Sequence, residues 1–129
     1  MLDHIGIGVS DFARARAFYD KALAPLGIAL VMEVTTEQTG DQPACGFGSE
    51  GKPYFWFGGA SDIARAHIAF AAKDRASVDA FYKAALAAGG KDNGPPGLRP
   101  RYHPNYYAAF VIGPDGHNVE AVCHEPEGK

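Results

Sequence analysis

The sequence predicts an α+β fold made of two tandem βαβββ modules, and three observations support this prediction. Residues 4–9 and 67–72 each have the pattern of a strand that begins near a histidine. An aspartate and an amphipathic helical pattern follow both strands. A single offset of 63 residues, which carries His4 onto His67, aligns further pairs without a gap: Asp11 with Asp74, Phe18-Tyr19 with Phe81-Tyr82, Leu23 with Leu86, Gly27 with Gly90 and Phe47 with Phe110. Such a repeat predicts a duplicated structural unit.

The first module is predicted over residues 1–59. After the strand at 4–9, Ser10 and Asp11 offer N-caps for a helix over 12–23, and Pro25 and Gly27 end it. A second strand is predicted over 28–35 and a polar, turn-rich loop over 36–42. Two short strands over 44–48 and 54–57 complete the unit.

The second module is predicted over residues 65–125. Its strand at 67–72 is followed by an alanine-rich helix over 75–88, which Asp74 caps and Gly89-Gly90 ends. Residues 91–105 are dense in proline, so we expect an irregular loop there, with at most a short edge strand. A turn at 114–116 precedes the last strand, over 118–122.

Composition excludes several classes of function. The chain has 129 residues and a formal net charge of -3, which fits one domain without a basic surface for nucleic acid. No apolar run approaches the length of a membrane span, and the N-terminus lacks the pattern of a secretory signal. Cys45 and Cys123 do not suggest a disulfide framework. We expect a cytoplasmic protein with no membrane or nucleic-acid partner.

Side-chain alternation predicts a cavity beside the two strand histidines. His4, Gly6 and Gly8 share one face of their strand, and the bulky residues occupy the other. The partner strand repeats this pattern, with His67 beside Ala69 and Ala71. Glycine and alanine leave empty volume next to the histidines, which a core would fill and a binding site would not.

Glu120 lies within an otherwise apolar strand, where an ionised carboxylate is costly unless it is paired or bound to a cation. Our hypothesis is that His4, His67 and Glu120 bind one divalent metal. Three protein ligands would leave positions open for substrate, as in catalytic sites. The alternative is a buried ion pair of Glu120 with Arg101 or Lys52.

The same offset places Phe57 at the position of Glu120 in the first module. Phe55 and Phe57 are therefore predicted to form an aromatic, substrate-binding wall on the ligand face, with Trp56 pointing away. A slip of one residue would reverse this assignment. His117, in the turn, is expected to face solvent.

The loop before the last hairpin is rich in side chains that move protons or hold anions. His103 is predicted to act as a catalytic acid or base, with Tyr106 as a proton donor. Arg101 is predicted to hold an anionic group of the substrate, an assignment for which Arg99 is the alternative. Tyr102 and Tyr107 are predicted to contact the substrate and are alternative donors.

The sequence resembles the vicinal oxygen chelate superfamily, which includes glyoxalase I, extradiol dioxygenases and bleomycin-resistance proteins. The resemblance covers nearly the whole chain, and its matching stretches are residues 2–11, 17–19, 26–27 and 113–120. It implies paired modules whose sheets form a cup around a divalent metal, with His4, His67 and Glu120 on ligand positions. Glyoxalase I has a fourth ligand, whose position Phe57 would occupy here.

Two histidines and one glutamate resemble the dioxygenase triad, which implies iron(II) or manganese(II). Three hypotheses therefore stay open: a dioxygenase-like enzyme; a glyoxalase-like lyase or isomerase using zinc, nickel or cobalt; and a protein that binds a small molecule without turnover. Exposed sheet edges favour a homodimer. The metal site is then formed either within one chain or by His4 of one chain with His67 and Glu120 of another.

Overall fold

The computed structural model of the chain describes residues 1–40 and 42–127. Two four-stranded sheets carry two long helices, and the elements follow the predicted order twice. The first module contains β1 (Ile5–Val9), α1 (Phe12–Leu23), β2 (Ala29–Val34), α2 (Thr36–Thr39), β3 (Ala44–Ser49) and β4 (Lys52–Gly59). The second contains β5 (His67–Ala71), α3 (Arg75–Ala87), β6 (Lys91–Leu98), β7 (Tyr107–Ile112) and β8 (Asn118–Cys123). The predicted fold class is confirmed.

Both sheets have the same strand arrangement. The first sheet has the order β1-β4-β3-β2 and the second the order β5-β8-β7-β6. The first and last strands of each module pair in parallel, and the other neighbours pair antiparallel. Strand β1, which His4 directly precedes, and strand β5, which begins at His67, are consequently edge strands, with one side of each ladder open to another chain.

Both long helices begin where the sequence places an N-cap. The Asp11 carboxylate accepts a hydrogen bond from the amide of Arg14, and the Asp74 carboxylate accepts one from the amide of Ser77. Gly27 adopts a left-handed conformation, with a φ of 76°, and ends the first helical segment. These local signals explain why the helices were predictable.

One apolar core serves both modules. Tyr19 on α1 packs edge-on against Phe55, with ring centroids 5.0 Å apart. Phe55 in turn contacts Phe70 of the second module at 5.2 Å. Because the buried cluster runs through both sheets and both helices, the two modules fold as one body.

Two segments differ from prediction. Part of the loop predicted over 36–42 is the one-turn helix α2, which Thr35 and Gln38 cap reciprocally; Asp41 lies outside the described residues. The proline-rich stretch forms the eight-residue edge strand β6, not an irregular loop. It accommodates Pro95 and Pro96 because its register against β7 shifts twice, between Asp92 and Gly94 and between Gly94 and Gly97. Among the described residues no helix is both long and apolar enough to cross a membrane.

Candidate metal centre

Each sheet has a core face, which packs under the helices, and a second face. Because side chains alternate along a strand, every other residue lies on this second face. We call the second face the open face. In β5, Ile68 and Phe70 belong to the core, whereas His67, Ala69 and Ala71 are exposed on the open face. This alternation confirms the prediction that bulky residues pack beneath the helices and small residues flank the histidine.

Glu120 lies on the open face of β8 and is nevertheless only 1% exposed. Its Oε1 atom lies 2.8 Å from Nε2 of His67, whose side chain is 54% exposed. Its Oε2 atom accepts a hydrogen bond of 2.5 Å from the Tyr106 hydroxyl. Both carboxylate oxygens of Glu120 therefore have a hydrogen-bond partner, and the His67 imidazole is the solvent-exposed member of the pair.

The surroundings of Tyr106 keep its phenol protonated, so that it acts as a hydrogen-bond donor. Burial, followed by the hydrogen bond to Glu120 and the charge of that carboxylate, raises the pKa of the Tyr106 phenol to about 12. Its ring packs against Tyr102, with centroids 5.2 Å apart, and against His124 at 5.1 Å. At neutral pH the phenol is protonated and fixes the orientation of the Glu120 carboxylate.

The donor chemistry of this pair suits a divalent metal. An imidazole nitrogen and a carboxylate oxygen are ligands of zinc, iron and manganese. They lie side by side on a face where Ala69 and Ala71 leave room above the sheet. The pair therefore provides two of the three ligands that the sequence predicts.

His4 lies apart from this pair within one chain. Its Nδ1 is 2.8 Å from Asp3, and the Asp3 carboxylate also binds Lys52 at 2.7 Å. Hydrogen bonds from Lys52 and then His4 lower the pKa of Asp3 to about 2. With Nδ1 donating to the carboxylate, Nε2 of His4 is the ring nitrogen left for a metal.

A groove of about 420 Å³ connects the two histidine-bearing edges. Residues from both β1 and β5 line it, including His4, Ile5, His67 and Ala69. Yet among residues 1–40 and 42–127 no three His, Cys, Asp or Glu side chains come close enough to hold one metal ion. Within the described residues of a single chain, His67 and Glu120 therefore lie together without His4.

Phe55 and Phe57 do not form the predicted aromatic wall on the open face, although Phe55 also lines the groove that His4 and His67 share. Both are 1% exposed, and both contact Tyr19 beneath α1. The reason is the strand register. Gly6 pairs with Trp56 in the first module and Ala69 pairs with Glu120 in the second, so Trp56 is the structural equivalent of Glu120.

Trp56 therefore faces the open side, the reverse of its predicted direction. The offset between modules is 63 residues at the first strands and helices but 64 at the last hairpins, from Trp56 to Glu120. The intervening segments differ in their bulges: β2 has one register shift against its neighbour and β6 has two. A gap-free alignment cannot detect such an insertion.

Four other residues predicted as catalytic or substrate-binding, Arg101, Tyr102, His103 and Tyr107, have partners other than Glu120. Tyr107, predicted to contact the substrate, donates a hydrogen bond to Asp79 of α3 at 2.6 Å and lies on the core side of β7, not on the open face with Glu120. His103 accepts a hydrogen bond from the amide of Asn105 at 3.0 Å. Arg101 stacks over the exposed ring of Tyr102 at 5.2 Å. Of the predicted loop residues, Tyr106 is the one seen bonded to Glu120.

Arg99, the alternative to Arg101 as an anion-binding residue, binds the backbone of β6 instead. Its guanidinium donates to the carbonyl oxygens of Gly97, at 2.7 Å, and Pro95, at 2.8 Å. It also lies over the Phe110 ring, 5.4 Å from the centroid. These bonds hold the bulged part of β6, where the prolines remove backbone donors from the sheet.

His117 is a residue whose role the sequence did not reveal. It is fully buried, not solvent-facing as expected. Its Nδ1 accepts a hydrogen bond from the amide of Ala66 at 2.9 Å, which leaves Nε2 to donate to the carbonyl oxygen of Gly8 at 2.9 Å. The imidazole thereby joins the end of β1 to the segment that enters β5.

Comparisons with known proteins agree with this architecture. The sequence model described as glyoxalase/bleomycin resistance protein/dioxygenase superfamily matches residues 1–121. The comparison with curated protein sequences gave no match.

Among solved structures, a glyoxalase/bleomycin resistance protein from Albidiferax ferrireducens is 28% identical, with a TM-score of 0.73 over 98% of this chain and 99% of that one. A putative glyoxalase from Bacillus halodurans is 25% identical, with a TM-score of 0.66 and 95% of both chains covered. Glyoxalase I from Zea mays is 24% identical, with a TM-score of 0.71. The match covers 95% of this chain and 45% of the maize protein, so this chain spans about half of that enzyme's length.

Proposed function

Because the chain belongs to the glyoxalase/bleomycin resistance protein/dioxygenase superfamily, we propose that it is a divalent-metal-dependent enzyme. Its substrate would be a small molecule with two adjacent oxygens, bound at a site of two histidines and one glutamate. Iron(II) or manganese(II) is the preferred metal for this ligand set, with zinc, nickel and cobalt as alternatives. A dioxygenase-like reaction is favoured by the triad.

The observation that supports this proposal is the contact on the open face between Glu120, which is 1% exposed, and His67, whose side chain is 54% exposed. Burial of an ionised carboxylate is costly unless it is paired or bound to a cation. The contact places a nitrogen and an oxygen 2.8 Å apart at the surface of the sheet, where one cation can replace their hydrogen bond. His4 of a second copy of the chain supplies the third ligand in this proposal.

The chemistry proposed for the site divides between the metal and the protein. A divalent metal would supply a Lewis acid that stabilises the anion formed from the substrate's two oxygens. Glu120 and His67 of one chain and His4 of a second copy would hold it. Tyr106 keeps its proton on Oη and holds Glu120 Oε2, so that Oε1 is directed toward His67.

A glyoxalase-like lyase or isomerase is the second candidate, because two of the similar solved structures, at 28% and 25% identity, are described as glyoxalases or glyoxalase-related. The two reactions differ in their need for oxygen. Consumption of oxygen with catechols supports the first candidate, whereas turnover under anaerobic conditions supports the second.

Metal analysis of protein purified without chelator tests the proposal. We expect wild-type protein to retain a divalent metal and both His67→Ala and Glu120→Gln to lose it. Glu125→Gln is the matched control, because Glu125 is exposed just beyond the end of β8. Equal metal content in all four proteins would refute the proposed site. Metal binding without turnover of any substrate would leave the third hypothesis, a small-molecule binding protein.

A further inference from the structure

The open face of the first module has a pocket of its own. It has a volume of about 540 Å³ and lies on the side of β1 and β4 away from the core. Its lining consists of Asp3, His4, Gly6, Lys52, Pro53 and Trp56. The two charged side chains at its edge, Asp3 and Lys52, bind each other at 2.7 Å and leave little net charge to select an ionic ligand.

The indole of Trp56 forms one side of this pocket, and it packs against Gly46 of the neighbouring strand β3. A Cβ atom built on Gly46, its partner in β3, would stand 2.8 Å from Cε2 and 2.9 Å from Cζ2 of the indole. The six-membered ring therefore lies directly over Gly46, and Pro53 abuts the same point at 2.9 Å. Only a glycine at position 46 permits this placement of the ring.

The space next to the indole is empty on the β1 side. Gly6 is the partner of Trp56 in the parallel pairing of β1 with β4. A Cβ built on Gly6 would meet only the Trp56 carbonyl oxygen and Cβ, at 3.9 and 4.0 Å, which are ordinary contacts. The glycine is thus not required by packing, and its missing side chain leaves room beside an aromatic surface.

The strand register relates this pocket to the metal ligands. Trp56 occupies in the first module the position that Glu120 occupies in the second. His4 lies on the same face of β1 as Gly6 and lines the same pocket as Trp56. If His4 joins His67 and Glu120 of a second copy, the indole borders the same cup as the metal.

We propose that Trp56 is a stacking platform and that the ligand of this site carries a planar aromatic ring. This inference rests on the proposed function for the metal beside the ring, but the ring contact itself needs no metal. An indole face favours offset stacking with another π system over contact with a saturated ring of similar size. The substrate class is therefore an aromatic ring with two adjacent oxygens, not an aliphatic diol or hydroxy ketone.

The chain contains a single tryptophan, so its fluorescence reports on Trp56 alone. We would titrate chelator-treated protein, in which no metal can bind the oxygen pair, with catechol and, separately, with trans-cyclohexane-1,2-diol, which has the same oxygen pair on a saturated ring. Catechol is expected to quench the fluorescence with saturation and to bind at least about 5-fold more tightly than the diol in calorimetry. Equal affinity for the two probes would overturn the proposal.

Three variants separate the loss of ring stacking at Trp56 from a loss of the folded structure. Trp56→Leu is expected to weaken catechol binding by about 5- to 10-fold, and Trp56→Phe by much less, because Phe keeps an aromatic face. Gly6→Val should retain the fold, since its Cβ has room, and should block the pocket. Circular dichroism checks that each variant is folded. Wild-type affinity for catechol in both folded Trp56→Leu and Gly6→Val proteins would also overturn the proposal.

The titrations distinguish this inference from the proposed metal site. Catechol quenching that persists in Glu120→Gln protein supports the platform even if the metal proposal fails. Normal metal content in Trp56→Leu protein together with unchanged catechol affinity refutes the platform and leaves the metal site standing.

Discussion

At the scale of single residues, Tyr106 provides the most direct test of the proposed site. Its hydroxyl lies 2.5 Å from Glu120 Oε2 and leaves Oε1 beside His67. We expect Tyr106→Phe to lower metal affinity about 10-fold, because the ligating carboxylate loses the partner that orients it. A chelator competition assay measures this change. Tyr102→Phe is the control, since its ring is exposed and its loss of a hydroxyl should leave affinity unchanged. Equal affinity in both variants would contradict the role of Tyr106.

Two tyrosines also predict how stability depends on alkaline pH. The pKa of Tyr106 is raised to about 12, first by burial, and that of Tyr107 is raised to about 12, first by its hydrogen bond to Asp79. Unfolded tyrosines lose their protons near pH 10, whereas these two keep theirs until about pH 12. The unfolded state is therefore favoured progressively between pH 10 and pH 12. Urea titrations should show stability falling across this window, and falling less steeply in Tyr106→Phe and Tyr107→Phe proteins.

Tyr19 offers a contrasting prediction. Its hydroxyl is buried and has no hydrogen-bond partner among the described residues, although its ring contacts Phe55 and Phe57. Tyr19→Phe should leave the free energy of unfolding unchanged or raise it by up to about 1 kcal/mol, because an unsatisfied polar group is removed. Tyr107→Phe is the matched comparison and should lose about 1 kcal/mol with its bond to Asp79. Urea denaturation decides between them; a clear loss in Tyr19→Phe would reveal an unseen partner, such as a buried water.

At the scale of strands and helices, sequence patterns were sufficient where the determinants are local. Asp11 and Asp74 cap their helices, and the alternation of His67 with Ile68 assigns faces to β5 correctly. The position of Trp56 was not predictable, because a bulge in one edge strand changes the offset without leaving a local signal. His117 was missed for a related reason: its partners, Ala66 and Gly8, lie in distant segments.

His117 gives the prediction at this scale. Its imidazole is fully buried and connects β1 with the start of β5 through two hydrogen bonds of 2.9 Å. His117→Ala should cost about 2–4 kcal/mol, because it leaves a cavity and removes partners from two backbone groups. His124→Ala, at an exposed position, should cost less than about 1 kcal/mol. Urea denaturation of both proteins measures the difference; equal losses would mean that the buried imidazole does not stabilise the junction.

At the scale of the whole molecule, the duplicated architecture explains why one chain does not by itself bring the three proposed ligands together. The repeat creates two edge strands in separate sheets, β1, which His4 directly precedes, and β5, which begins at His67. The shared core fixes the two modules to each other, and in this arrangement no three candidate ligands lie together among the described residues. A second copy related by a twofold axis would place its β1 beside β5 of the first, and the reverse, so that two equivalent sites form at once.

This geometry predicts that ligands can be complemented between chains. His4→Ala and Glu120→Gln proteins should each bind no metal alone. When the two are co-expressed, a mixed dimer contains one intact set, with His4 from the second variant and His67 and Glu120 from the first. With random pairing, metal content per chain should recover to about one quarter of the wild-type value. Light scattering and metal analysis of the same fraction measure both the dimer and its metal.

The matched control combines two variants whose substitutions lie in the same module. Co-expression of His67→Ala with Glu120→Gln leaves every site short of one ligand if His4 comes from the other chain, because His67 and Glu120 always come from one module. No metal should return in this mixture. Failure of both mixtures, with a wild-type protein that binds metal, would mean that each chain closes its own site by a rearrangement of its modules. Recovery in the first mixture alone requires the exchange of His4 between chains, which no single-chain arrangement produces.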